Sequence, residues 1–237
     1  MGEFVECVEG ISEAAKYLAF PVVSGNVSFY NQTKEVGIKP TPVIGGVGLI
    51  KDYTKMITMN FKNEGNIILV IGKTEGHIDQ SLFARTILDE KNGPPPEINL
   101  FNEKNNGETI LKLIENEYIK SAHDVSLGGI LMGISKMCIK GDIGIQIKRP
   151  DSLLSKFEYF FSEDQGRYII EIAKSDLKKV TSFLEKNAIH YDEIGTLKGK
   201  SINFDEKTIV PIDELRTYNS SWLSLIHISE PTRPRLI

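Results

Sequence analysis

Short apolar stretches of strand length alternate with longer stretches of helical spacing from residue 41 onward, and this alternation constrains the fold most strongly. The predicted strands are TPVIGGVGLIKD, GNIILVIGK, SAHD, IGIQIK and RYIIEIA. The predicted helices are IDQSLFARTILDE, NGETILKLIENEYI, the segment after Gly129, and SDLKKVTSFLEKN, in which Ser175 can cap the helix. The stretches YDEIGTLKG and KSINFD are predicted to close as a hairpin-like pair. The pattern predicts an α/β fold, or α+β with a mixed sheet.

The N-terminal segment has the pattern of a helix, whereas the C-terminal segment has no regular pattern. Apolar residues from Phe4 to Leu18 follow helical spacing, so an amphipathic helix should begin almost at Met1. This helix runs directly into PVVSGNVSF, and the chain therefore reads as beginning within a domain. We place a domain boundary near residues 52–60. The last stretch, residues 223–237, contains two prolines and no sustained period, and we interpret it as a non-native tail rather than a natural disordered one.

Charge and composition narrow the possible partners. The formal net charge is -4, from 28 basic and 32 acidic residues that are interspersed, so we expect no nucleic-acid partner. The apolar runs are too short to span a bilayer, and the N terminus has no signal-peptide pattern, so we expect a cytoplasmic protein with no membrane partner. Two cysteines provide no disulfide framework, and the histidines lack zinc-ligand spacing.

The segment SGNVSFYNQT, residues 24–33, gathers small oxygen-bearing side chains around Gly25. Glycine lets a backbone approach a ligand closely, and Asn26 offers a neutral oxygen of the kind that Mg²⁺ accepts. In a strand, Ser28 would point to the same face as Asn26, so the pair could present a metal ligand beside a hydroxyl. A turn whose Asn and Ser satisfy local backbone groups is the alternative, and the residues alone favour that alternative.

Two further segments carry polar residues at the ends of predicted strands. In HDVSLGGI, a strand end followed by two glycines and a helix would leave N–H groups for an anion, and Asp124 could contact a cation or a hydroxyl. Ser126 as a cap and His123 as a buried imidazole form the alternative. FSEDQGRY gathers Ser162, Glu163, Asp164, Gln165 and Arg167 before an apolar strand. These residues suit a phosphorylated, polyhydroxylated ligand, but the residues alone favour an ordinary turn.

Taken together and in order, VECVEGISEAAKYLAFPVVSGNVSFYNQT, IKPTPVIGGVGLIKD, SAHDVSLGGI and FSEDQGRYIIEI resemble the C-terminal part of the phosphoribosylformylglycinamidine synthase family. The resemblance implies a PurM-like α/β (α+β) fold, shared with aminoimidazole ribonucleotide synthetase. Residues 1–52 would then end a sheet-forming domain, and residues 53–222 would form the following α/β domain. The implied reaction is an ATP- and Mg²⁺-dependent carbon–nitrogen ligation in purine biosynthesis, which converts formylglycinamide ribonucleotide and glutamine-derived ammonia to formylglycinamidine ribonucleotide through an iminophosphate.

The resemblance also implies roles for individual residues. Gly25 would line ATP, Asn26 would bind Mg²⁺ and Ser28 would contact the ribonucleotide substrate. No catalytic residue is expected in this chain, because the family's catalytic histidines lie in its N-terminal half. Four residues are candidates for an auxiliary nucleotide pocket: Asp124, Glu163, Gln165 and Arg167. Leu127 stands where the family usually has Asp, which weakens a polar role for that loop.

The implied partners are the N-terminal half of the synthetase, a glutaminase subunit and a small helper subunit. Without the catalytic half, we expect the chain to be inactive alone. The alternative is a stand-alone nucleotide-binding or assembly module of the same superfamily.

Overall fold

The computed structural model describes residues 2–29, 31–38, 41–204 and 208–221. The chain divides into two compact units, Met1–Tyr53 and Thr54–Ile237. The predicted non-native tail, residues 223–237, lies outside the described residues, as does the last residue of the predicted α/β domain, Trp222. Within the described part of the chain, none of the helices combines the length and the apolar character needed to cross a membrane.

The first unit contains the predicted N-terminal helix, α1 (Gly2–Tyr17). An acidic residue, Glu3, lies in its first turn and a basic residue, Lys16, lies in its last, as the helix dipole favours. Further along, two short strands, β1 (Gln32–Thr33) and β2 (Val36–Gly37), pair antiparallel. The sequence pattern had predicted the helix but not this small hairpin.

No described residue of the first unit is buried. Several large apolar side chains are almost fully exposed: Val23, Val43, Val47 and Leu49. The prediction of a strand at TPVIGGVGLIKD is wrong, since residues 41–50 belong to no helix or strand. A strand needs a neighbour for its backbone N–H and C=O groups, and three glycines further weaken this stretch.

The second unit is built on a seven-stranded mixed sheet. Its strands are β3 (Ile67–Ile71), β4 (Ser121–Asp124), β5 (Ile145–Ile147), β6 (Tyr168–Ile172), β7 (Tyr191–Leu197), β8 (Ser201–Asn203) and β9 (Ile209–Pro211). Their order across the sheet is β4–β6–β3–β7–β5–β8–β9. Among these strands of the described chain, only β5 and β8 pair in parallel, and all other neighbours are antiparallel. The sheet is therefore the mixed sheet that the alternating pattern predicted.

Helices cover both faces of this sheet. They are α2 (Leu100–Glu115), α3 (Gly129–Gly141), α4 (Lys156–Phe161), α5 (Leu177–Lys186) and α6 (Ile212–Ser221). The second unit also contains a short π-helix at Ala84–Leu88 and a 3₁₀ turn at Lys174–Asp176, and another 3₁₀ turn, Tyr53–Lys55, begins at the last residue of the first unit. Side chains alternate along β3, so Ile68 and Val70 join the core under α3, α4 and α6. Ile67, Leu69 and Ile71 join the core under α2 and α5. A central strand covered on both faces must be apolar throughout, as this one is.

Two local predictions need correction. The stretches YDEIGTLKG and KSINFD do not pair with each other, because β5 lies between β7 and β8. Gly144, directly before β5, packs closely against the turn between β7 and β8. Its N–H donates to the carbonyl of Gly199 at 2.7 Å, and a Cβ on Gly144 would lie 2.3 Å from the Ser201 carbonyl oxygen. Ser175 does not cap α5, because the 3₁₀ turn takes up that position and Asp176 is the N-cap residue.

Candidate functional site

Gly25, Asn26 and Ser28 lie on an exposed part of the first unit that belongs to no helix or strand. The Ser28 hydroxyl donates to Asn31 Oδ1 at 3.2 Å, and Asn31 Nδ2 donates to the Ser28 carbonyl at 3.3 Å. These two contacts form the kind of local turn that was the alternative interpretation. Asn31 is the residue that the sequence reasoning did not single out, although it lies within the quoted motif. Tyr30 lies outside the described residues.

The surroundings of Gly25 are open. A Cβ added at this position would meet no atom within 4 Å. The packing of the chain therefore does not require glycine here. The exposed Asn26 side chain provides one neutral oxygen donor, which fits a place in a Mg²⁺ shell. A complete shell needs ligands from elsewhere, and the described residues contain no cluster of three or more His, Cys, Asp or Glu that could hold a metal ion.

The predicted anion site at the start of α3 is occupied by a carboxylate of the same chain. Gly128 is the N-cap residue, with φ of 81°, and its N–H donates to Glu163 Oε1 at 2.8 Å. The same oxygen accepts a second hydrogen bond, from the N–H of Leu82 at 2.7 Å. At Gly129 a Cβ would lie 2.6 Å from the Ser162 carbonyl oxygen, so this glycine permits close packing.

Asp124 lies at the end of β4. Within the described part of the chain, two of the residues predicted for the auxiliary nucleotide pocket form ion pairs, Asp124 and Arg167, and Asp124 is the more exposed of the two. Its side chain is 65% exposed, and Oδ1 lies 3.1 Å from His123 Nδ1. His123 Nε2 is buried and finds no hydrogen-bond partner in the described part of the chain. Opposite Asp124 in the sheet stands Tyr168, whose pKa is raised by burial and further by the Glu103 and Asp124 carboxylates.

In the segment Ser162–Arg167, the buried side chains of Asp164 and Arg167 each make three hydrogen bonds. Asp164 accepts from three consecutive backbone N–H groups at 3.0 to 3.1 Å, those of Glu75, Gly76 and His77. The Arg167 guanidinium is 1% exposed and donates to the carbonyls of Ser162 and Asp164 and to the Thr74 hydroxyl. Burial lowers the pKa of Arg167, and the nearby Asp164 carboxylate opposes that shift.

The structure thus brings Glu163, Gln165 and Arg167 into one turn and joins that turn to Gly128 through Glu163. Gln165 is exposed, and its Nε2 donates to the Glu163 carbonyl oxygen at 3.4 Å. The nucleotide-binding roles of these residues and of Asp124 stay predictions. Asp164 belongs to the same predicted polar segment, but its bonds to the three backbone N–H groups could not be predicted, because these partners lie 87 to 89 residues away.

A second polar group that the sequence did not reveal joins His190, Asp192 and Tyr159. The Tyr159 hydroxyl donates to Asp192 Oδ2 at 2.7 Å, and His190 Nε2 lies 3.6 Å from the same oxygen. Burial raises the pKa of Tyr159, and the hydrogen bond to Asp192 raises it further. The Asp192 carboxylate, 3.6 Å from Nε2, raises the pKa of His190. Burial alone would raise the pKa of Asp192, but the contact with His190 and the hydrogen bond from Tyr159 outweigh burial and lower it.

Comparison with known proteins adds a family match. Residues 63–205 match the model of the AIR synthase related protein, C-terminal domain. The chain is 66% identical over 224 residues to the phosphoribosylformylglycinamidine synthase subunit PurL of Pelagibacter ubique, a match that covers 94% of this chain and 31% of that protein. It is 42% identical over 224 residues to the PurL subunit of Bradyrhizobium diazoefficiens, covering 94% of this chain and 30% of that protein.

Among solved structures, Thermotoga maritima PurL complexed with FGAR has a TM-score of 0.56 and 18% sequence identity, covering 68% of this chain and 29% of that one. This likeness and the family match confirm the predicted PurM-like α/β fold. The chain spans less than a third of the length of the curated relatives it matches, at 30% and 31% of the two relatives above.

Proposed function

Because this chain belongs to the AIR synthase related protein family and is a PurL-type member of it, we propose that it forms part of an ATP-dependent synthetase of purine biosynthesis. The observation that carries the proposal is the 66% identity to a PurL subunit over 94% of the chain. The proposed reaction joins ammonia nitrogen to the amide carbon of formylglycinamide ribonucleotide and gives formylglycinamidine ribonucleotide.

The reaction balances in two steps. The amide oxygen attacks the γ-phosphorus of ATP, so that a P–O bond forms and ADP leaves. Ammonia derived from glutamine then attacks the activated amide carbon, and inorganic phosphate leaves with the former amide oxygen. A bound Mg²⁺ would neutralise phosphate charge, which is the main demand of phosphoryl transfer besides positioning.

The loop with Gly25, Asn26 and Ser28 is the part of this chain that we assign to the reaction. The open space at Gly25 leaves room for ATP to approach the backbone. Asn26 is exposed and would supply one oxygen to the Mg²⁺ shell. The Ser28 hydroxyl donates a hydrogen bond to Asn31 Oδ1, so the Ser28 oxygen can still accept a hydrogen bond from a hydroxyl of the ribonucleotide.

The remaining groups would come from outside this chain. A single asparagine cannot complete a Mg²⁺ shell or transfer protons, so the other ligands and the catalytic residues belong to the rest of the synthetase. We propose the N-terminal half of the synthetase as the direct partner, with a glutaminase subunit and a small helper subunit completing the synthase. On this proposal the chain alone is inactive.

The experiment measures ATP hydrolysis and amidine formation with formylglycinamide ribonucleotide, Mg²⁺ and ammonia, with and without the N-terminal half of a PurL relative added in trans. We expect turnover only with both pieces, and we expect Asn26→Ala to abolish it. Asn102→Ala, which changes an exposed asparagine on α2, is the control and should leave turnover unchanged.

Two results would count against the proposal. Turnover by this chain alone would contradict the assigned division of labour. A proven complex that shows no turnover, together with Mg²⁺-ATP binding that Asn26→Ala leaves intact, would favour the stand-alone nucleotide-binding module instead.

A further inference from the structure

Five backbone N–H groups of the second unit converge on the carboxylates of two consecutive residues, Glu163 and Asp164. The donors belong to three separate stretches of chain, at Glu75, Gly76 and His77, at Leu82, and at Gly128. We call these five N–H groups the anion cradle. Converging N–H groups are the usual place where proteins bind phosphate and other anions. Here the chain provides the anions itself.

Glu163 occupies the side of the cradle next to α3. Its Oε1 accepts from Leu82 at 2.7 Å and from Gly128 at 2.8 Å. Gly128 is the N-cap of the helix, so its N–H lies at the positive end of the helix dipole. The Glu163 carboxylate thus takes the position that a phosphate would need at this helix.

Asp164 occupies the other side of the cradle. Oδ2 accepts from Glu75 and Gly76, both at 3.0 Å, and Oδ1 accepts from His77 at 3.1 Å. The Asp164 residue is only 6% exposed, and Arg167 Nη1 lies 3.8 Å from Oδ2. The charge of the buried carboxylate is therefore balanced by a buried guanidinium, and the cradle needs no external charge.

We propose that Glu163 and Asp164 act as built-in anions that hold the cradle closed, so that the second unit excludes nucleotide phosphates instead of binding them. An entering phosphate would compete for N–H groups that already have charged partners, and it would meet two carboxylates at close range. This assignment replaces the predicted ligand roles of Glu163 and Arg167 with structural ones. It is independent of amidine synthesis and of the loop at Asn26.

The first test titrates the wild-type chain with inorganic pyrophosphate and with Mg²⁺-ATP, followed by calorimetry and by thermal unfolding. We expect pyrophosphate to give no binding heat and no change in Tm. Mg²⁺-ATP binding that disappears in Asn26→Ala would belong to the loop of the first unit, and binding that Glu163→Gln leaves unchanged would lie away from the cradle. Both results agree with a closed cradle.

The opposite result is equally specific. Binding of either probe that persists in Asn26→Ala and is lost or tightened several-fold by Glu163→Gln would place the ligand in the cradle of the wild-type chain and overturn the proposal. The wild-type and Asn26→Ala titrations leave the cradle residues unchanged, and no part of the test requires a variant that changes Asp164.

The second test asks whether the cradle needs an anion. Glu163→Ala should lower Tm, and added formate should restore most of the lost Tm, whereas chloride at the same ionic strength should not. Wild type and Glu193→Gln should show no such response, because the Glu193 side chain is exposed on β7 and forms no part of the cradle. Failure of formate to rescue, or equal rescue of the control, would overturn the built-in-anion role. If Glu163→Ala does not fold, Glu163→Ser, which also vacates the carboxylate position, is tested in the same way.

Discussion

Ser121 and Glu171 stand directly opposite each other in the β4–β6 pair, and the Ser121 hydroxyl donates to Glu171 Oε2 at 2.9 Å. Glu171 is completely buried, and the partners of its carboxylate within the described part of the chain are uncharged N–H and O–H donors. It also accepts from the backbone N–H groups of Lys62 and Asn63 and from Asn66 Nδ2 at 2.7 Å. The carboxylate therefore ties the segment before β3 to the edge of the sheet.

This geometry predicts that Glu171→Gln destabilises the fold. The substituted amide would turn an NH₂ group toward hydrogen-bond donors, and a buried donor left without a partner costs about 1–3 kcal/mol. We expect a loss of that size in the free energy of unfolding, measured by urea denaturation. Glu193→Gln, at an exposed position on β7, should change it by less than about 0.5 kcal/mol. Equal effects of the two substitutions would contradict the role of Glu171.

The central sheet shows how much of the fold the sequence could predict. The run Ile67–Ile71 is apolar at every position, follows Gly65-Asn66 and precedes Gly72, and the structure makes it the buried central strand. TPVIGGVGLIKD has a similar apolar pattern but forms no strand, because strand formation depends on a pairing partner that a local pattern does not contain. The β7–β8 prediction failed for a related reason, since the short turn at Gly199 suggested a hairpin and only the tertiary fold inserts β5 there.

The candidate site was also predictable only in part: the sequence showed the polar residues but not their contacts. The sequence identified Glu163 and Arg167 as chemically notable residues within one turn. It could not show that Glu163 would contact Gly128 and Leu82, 35 and 81 residues away, because these partners are set by packing. For the same reason the sequence did not link Tyr159 to Asp192, whose side chains meet only through the packing of α4 on the sheet.

Gly129 provides a test of close packing at the start of α3. Its φ is 69°, and a Cβ would lie within 2.6 to 2.8 Å of backbone atoms of Phe160, Phe161 and Ser162. Gly199 has a nearly equal φ of 67°, but a Cβ there meets nothing within 4 Å. Gly199→Ala should therefore cost only the backbone strain, about 1 kcal/mol.

Gly129→Ala should lower the free energy of unfolding by clearly more than Gly199→Ala, since backbone atoms must move to admit the methyl group. Overpacking adds about 1–3 kcal/mol to the strain. Urea denaturation of both variants gives the comparison. Equal losses would mean that the α3 start relaxes freely and that its glycine is not required for packing.

The two cysteines should differ in reactivity. Cys138 is fully buried in the core under α3, and burial raises the pKa of its thiol to about 12. Because the thiolate is the reactive species, Cys138 should not react with a thiol reagent at pH 8 in the folded protein. Cys7, which is partly exposed on α1, should react. Titration with Ellman's reagent should count one thiol in buffer and two in denaturant, and Cys7→Ser should remove the native signal. A native signal that persists in Cys7→Ser would contradict the burial of Cys138.

The Asp192 group predicts how stability depends on pH. The pKa of His190 is raised above its ordinary 6.5, mainly by the neighbouring Asp192 carboxylate, while burial and Lys73 lower it and Glu75 raises it. Protonated His190 therefore favours the folded state, and this contribution is fully present below pH 6.5 and lost as pH rises through the folded-state pKa. The pKa of Asp192 is lowered from 3.8, so its contribution is present above pH 3.8 and lost as pH falls through the lowered value.

Both contributions overlap between these two limits, so Asp192→Asn should destabilise the protein most between about pH 4 and pH 6.5 and less at higher pH. Asparagine keeps an oxygen that can accept from the Tyr159 hydroxyl, so the charge of Asp192 is the main change. Urea denaturation across this pH range measures the difference, and an NMR titration of His190 should show a lower pKa in Asp192→Asn than in wild type. In a His190→Gln background the pH dependence of the Asp192→Asn effect near neutrality should vanish. If it remains, another group titrates against Asp192, and the pairing with His190 does not control stability.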